Sequence, residues 1–106
     1  MKKINFEKKT QLREQILLTF QVAILGMVTP NLRGITVGFD SEKIRSVFIY
    51  DGPVTDIEEE VLSDIEAEII ASFPNHTIEL EVKRNDHPAS ISEEYLDAWV
   101  YRRLEK

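Results

Sequence analysis

Leu32-Arg33-Gly34-Ile35-Thr36-Val37-Gly38-Phe39, then Asp40-Ser41-Glu42-Lys43, then Ile44-Arg45-Ser46-Val47-Phe48-Ile49-Tyr50: this stretch decides the fold. Ile35, Val37 and Phe39 alternate with Gly34, Thr36 and Gly38, the period of two of a half-buried strand. Residues 44–50 are rich in β-branched and aromatic side chains, which favour a pleated surface. The polar residues between them suit a turn, and so short a connection predicts an antiparallel hairpin. A four-residue loop opposes Phe39 to Ile44 and puts Phe48 and Tyr50 on the face of Ile35 and Val37. A slip of one residue would bring Val47 and Ile49 there instead. Both faces of the second strand are apolar, so it is expected to be central.

On the N-terminal side, residues 7–26 read as a helix. Leu12, Ile16, Phe20, Ala23 and Met27 recur at steps of three and four, the spacing of one helical face. Gly26 suits a left-handed C-terminal position, and Pro30 forbids continuation. Leu17, Leu18, Ile24 and Leu25 widen the apolar surface, so the helix is either covered on two sides or used in part for self-association. Lys2, Lys3, Lys8, Lys9 and Arg13 make a basic start, unfavourable at a helix N-terminus, which predicts a late or frayed beginning.

On the C-terminal side, Asp51-Gly52-Pro53 breaks the hairpin. Thr55 with Glu58 three residues on has the spacing of a capping box. Ile57, Val61, Ile65 and Ile69, with Leu62 and Phe73, fill one arc of the helix that follows, and Phe73-Pro74-Asn75 ends it. Residues 76–84 alternate cleanly, with Ile78, Leu80 and Val82 against Thr77, Glu79, Glu81 and Lys83, and predict a strand with one wet face. After the Asn85-Asp86-His87-Pro88 loop, residues 90–96 can hold one helical turn. Trp99-Val100-Tyr101 then favours a strand, with a helix over residues 93–105 as the competing reading. The order is α-β-β-α-β-β, an α+β fold: one domain over residues 1–106, with a four-stranded, mainly antiparallel sheet and two helices packed on one face.

With 42% hydrophobic and 30% charged residues, the composition is that of a globular protein. The absence of cysteine excludes disulfides, thiolate zinc and a thiol nucleophile, and fits a reducing cytoplasm. The apolar run 16–28 is shorter than the roughly 20 residues of a membrane span, and no Ala-x-Ala cleavage pattern follows it. A cytoplasmic location without membrane association is therefore expected. The net charge of −6 argues against nucleic-acid binding through a phosphate footprint.

That charge is unevenly spread: residues 51–81 hold ten acids and no Lys or Arg. Asp56, Glu58 and Glu59 occupy the first turn of the second helix, where carboxylates gain about 0.3–1 kcal/mol each from the helix dipole. Glu60, Asp64 and Glu68 differ. They follow one edge of the helix at steps of four with no cation between them, an arrangement that costs a few tenths of a kcal/mol per step. A solvated helix face and a docking ridge for an electropositive partner both account for them. A divalent cation is a weaker third account, because carboxylates on one helix lack a loop to wrap the ion. His76 and His87 have no metal-ligand spacing and read as surface residues. Gly34 and Gly38 lie within a strand, so they form no phosphate loop and instead admit a close neighbour. No nucleophile elbow is present, and nothing points to catalysis or a cofactor.

Thr29-Pro30-Asn31-Leu32-Arg33-Gly34-Ile35-Thr36-Val37, the strand end Tyr50-Asp51-Gly52, Ala67-Glu68-Ile69-Ile70-Ala71-Ser72-Phe73-Pro74 and Trp99-Val100-Tyr101-Arg102-Arg103 together carry a resemblance. Over roughly residues 25–103 the chain resembles the small acidic immunity proteins of bacterial contact-dependent growth-inhibition and related polymorphic toxin systems. The resemblance implies a non-enzymatic cytoplasmic protein that binds and blocks a cognate toxin domain. Many such toxins are basic nucleases, and an RNase is favoured. Its motifs carry over no fixed binding residue. From the charge pattern, Glu60, Asp64 and Glu68 are the first candidates for partner contact, with Asp51, Asp56, Glu59 and Tyr101 next. The alternative is a self-associating domain, a homodimer through helix 7–26.

Overall fold

The computed structural model describes residues 6–105. The elements are α1 (Phe6–Ala23), β1 (Leu32–Phe39), β2 (Lys43–Tyr50), α2 (Asp56–Ser72), β3 (Thr77–Arg84), a 3-10 turn (Ser92–Glu94) and β4 (Ala98–Arg102). The basic residues Lys2 and Lys3 lie outside the described part of the chain. Gly26 closes α1 with φ 74°, in the left-handed region where a side chain is disfavoured.

β1 and β2 pair as an antiparallel hairpin with Phe39 opposite Ile44 and Ile35 opposite Phe48, the unslipped register. The sheet order is β3-β2-β1-β4, so both hairpin strands are internal. β4 runs antiparallel to β1, but β3 runs parallel to β2, so the sheet is mixed. The reason is the connection: α2 carries the chain from the end of β2 back to its beginning, as a parallel crossover requires. The competition at the C-terminus resolves as strand, with Ile35 opposite Tyr101 and Thr36 opposite Trp99 along the outer side of β1.

The main core joins Ile16 and Phe20 of α1 and Leu62, Ile65 and Ile69 of α2 to Ile35, Val37, Ile44 and Phe48 of the sheet. A second cluster, Val47, Ile49 and Ile91 with Leu96 and Trp99 against them, lies apart from it. The alternation of β1 therefore does not mark a wet face. Thr36 is buried, donating to Ala98 O at 2.8 Å and accepting from Leu96 N at 3.0 Å. A Cβ on Gly34 would stand 3.0 Å from both Ile91 and Trp99, and one on Gly38 would stand 3.2 Å from Leu96. The small residues of β1 form a track on which residues 91–99 lie.

The apolar arc of α2 is also rotated from the expected one. Ile57 is 69% exposed and the buried set is Glu58, Leu62, Ile65 and Ile69. Glu58 lies inward because it has hydrogen-bond partners there, which Ile57 does not need. Replacing Ile57 with Ala should accordingly change unfolding stability by no more than about 0.5 kcal/mol, which urea titration would check.

Candidate functional site

The helix that carries the acidic ridge is fixed at its start by a reciprocal capping box. Glu58 N donates to Thr55 Oγ1 at 3.2 Å, and Thr55 N donates to the Glu58 carboxylate at 3.0 Å. The other Glu58 oxygen accepts a short hydrogen bond from Thr29 Oγ1, which ties α2 to the loop ahead of β1. Burial, and then the negative charge of Glu58, push the Tyr50 hydroxyl up to about 12. Losing the cap through Thr55→Ala should cost about 1 kcal/mol in chemical unfolding.

With Leu62, Ile65 and Ile69 inward, Glu60, Asp64 and Glu68 are all exposed on α2. Among the described residues no cation forms an ion pair with any of the three. Other acids of the 51–81 stretch are answered locally. Glu79 pairs with Lys43 at 3.1 Å and Glu81 with Arg45 at 2.6 Å, both across the β2–β3 pairing. The exposed negative charge of this stretch that lacks a partner thus concentrates on α2.

The remaining candidates fall in different places. Asp56 and Glu59 are exposed in the first turn of α2. Asp51 is half-buried in the turn after β2, accepting from Arg103 Nη2 at 3.1 Å and from His87 N at 3.3 Å. Tyr101 is half-buried on β4 and packs against the main core. His87 is exposed, whereas His76 is half-buried, edge-on to Phe73 at 5.8 Å between ring centres.

Arg33 went unsuspected as a structural centre. It is 2% exposed and sits where the β1–β2 register shifts between Leu32 and Gly34. Such a bulge re-aims a side chain. The guanidinium forks onto Glu105 at 2.7 and 2.8 Å and donates to Asn85 O and Ala89 O, each at 2.7 Å. Arg103 donates to the same Glu105 at 2.9 Å and to Pro30 O at 2.7 Å. The network joins β1, the loop after β3 and the C-terminal segment, and accounts for Asp51 on structural grounds. The only sequence signal was the charge of Arg33 inside an otherwise apolar and small strand.

Among the described residues no group of three or more His, Cys, Asp or Glu could hold a metal ion. None of their helices is long and apolar enough to cross a membrane. A cleft of about 440 Å³ is lined by Gly38, Phe39, Lys43, Arg45, Tyr95 and Leu96 among others, and lies on other elements than the ridge. A search of curated proteins returns no match. The MafI2 immunity protein family model, by contrast, matches residues 13–105, from within α1 through every later element. A match over nearly the whole fold settles the family, and the chain belongs to the MafI2 immunity proteins.

Proposed function

We propose that this protein neutralises a cognate toxin domain, a basic nuclease and in the first instance an RNase, by stoichiometric binding without catalysis. It would act in the cytoplasm, where the toxin would meet its RNA. Support comes from the family and from the ridge: among the described residues Glu60, Asp64 and Glu68 stay exposed with no cation paired to them, while Glu79 and Glu81 pair with Lys43 and Arg45. A nuclease keeps a positive surface to hold phosphate, and a line of carboxylates enters that field in place of nucleic acid. Asp56 and Glu59 extend the same field along α2. Asp51 and Tyr101 are the outlying contacts of the proposal.

The test is association kinetics with the proposed cognate RNase toxin domain, prepared in a catalytically inactive form. The triple variant E60Q/D64N/E68Q should bind about tenfold more slowly at low ionic strength, and the gap should close as salt is raised. Unchanged association and unchanged inhibition of RNA cleavage by the active domain would remove the ridge from the account. A second reading, the homodimer through α1, has its own support in Leu18, Val22 and Leu25, which stay exposed after folding. Concentration-dependent sedimentation of the isolated chain would reveal it.

A further inference from the structure

Leu18 is 67% exposed and Val22 62%, one turn apart on α1. With Thr19 they form one wall of a hollow of about 430 Å³ whose other wall is Glu68 and Ser72 of α2. A second hollow of about 330 Å³ shares Leu18, Thr19 and Ser72 and runs on to Phe73. The outer seam between the two helices is therefore an apolar groove, and Glu68 belongs both to its wall and to the acidic ridge.

We infer that this groove is the anchoring site for the toxin, receiving an apolar side chain that the toxin presents between Lys or Arg residues. The inference rests on the toxin-binding reading above and adds to it where the contact energy lies. Tight interfaces put a few apolar anchors in a pocket at the centre and charged groups at the rim, where they act on encounter more than on residence. Leu18 and Val22 supply the apolar wall, Glu68 supplies a charge at the rim, and Glu60 and Asp64 continue the same sign along α2.

Charge decides against a second copy as the occupant. α2 holds seven acids and no Lys or Arg. A two-fold dimer closed over the groove would bring two Glu68 carboxylates and their ridges toward each other. Arg13, the nearest cation of α1 in sequence, lies five residues and about 140° round the helix from Leu18, too far round to answer them. A basic surface with an apolar centre meets no such opposition.

The experiment compares wild type, L18S/V22S and a control, V82S, which alters an exposed apolar residue on β3 that lines neither hollow. Each is titrated against the proposed cognate toxin domain in a catalytically inactive form, and each is run in sedimentation velocity. Both groove residues are exposed, so thermal unfolding of L18S/V22S should match wild type and serves as the folding check. The inference expects L18S/V22S to dissociate about 30-fold faster or more with association little changed, V82S to behave as wild type, and the free chain to be monomeric. Wild-type binding with L18S/V22S within threefold of it would overturn the groove and leave the toxin-binding reading standing. No binding by wild type would overturn both. A wild-type dimer that L18S/V22S dissolves would assign the groove to a second copy and overturn the inference.

Discussion

Arg33→Ala is expected to lower unfolding stability by about 3–5 kcal/mol, the cost of breaking a buried ion pair by removing one partner. Four hydrogen bonds disappear with the guanidinium. The carbonyls of Asn85 and Ala89 lose a charged donor, and Glu105 is left to Arg103 alone. Arg33→Lys should recover only part of the loss, because a single ammonium cannot reproduce the fork onto Glu105. The same pair sets an acid limb of stability. Hydrogen bonds from Arg33, outweighing the opposing effect of burial and aided by Arg103, hold the Glu105 carboxyl at about 2 against an ordinary 4.5. A carboxylate with a depressed folded value stabilises the fold fully above its unfolded value and loses that contribution as pH falls through the folded one. Wild type should therefore lose stability between about pH 4.5 and pH 2, and Arg33→Ala should flatten that limb. Urea unfolding across this range measures both. An acid limb of unchanged slope in Arg33→Ala would mean that Glu105 is held by something other than this pair.

Phe48→Ala and Ile49→Ala, neighbours on β2 that point to opposite faces, are each expected to be severely destabilising. The first should cost about 3–5 kcal/mol and the second about 2–5 kcal/mol, the range for large-to-Ala changes in a packed core. Phe48 lies in the main core with the side chains of both helices, and Ile49 lies in the second cluster with Val47 and Ile91. A sheet with one wet face would tolerate one of the two changes. Equal intolerance would establish that residues 91–99 cover the second face as firmly as the helices cover theirs. If Ile49→Ala costs less than about 1 kcal/mol, that second layer is loosely held in solution.

The hairpin register was legible because a side-chain period of two admits few pairings once the loop length is set. The capping box was legible because it needs two residues at one spacing, Thr55 and Glu58. The depth of Glu58 was not, since its burial depends on Thr29, far off in sequence. The site was half legible. The steps of four from Glu60 to Asp64 to Glu68 put three carboxylates on one edge of α2 whatever the helix packs against. Which carboxylates would find cations was a question of strand pairing: Glu79 and Glu81 are answered only because β3 lies parallel beside β2. Leu18 reads as a core residue or as an interface, and only the packing of α1 against α2 decides which positions, Val22 among them, α1 leaves to solvent.

By itself, then, the sequence determined what local periodicity and turn chemistry control: the element order, the Gly26 stop, the central hairpin and the ridge. Tertiary structure alone decided the parallel placement of β3, the covering of the Gly34-Thr36-Gly38 track, the burial of Arg33 and the groove beside Glu68. Each of these joins residues remote in sequence, as Arg33 joins Glu105. A contact of that kind leaves no periodic trace along the chain, because either partner alone reads as an ordinary surface charge.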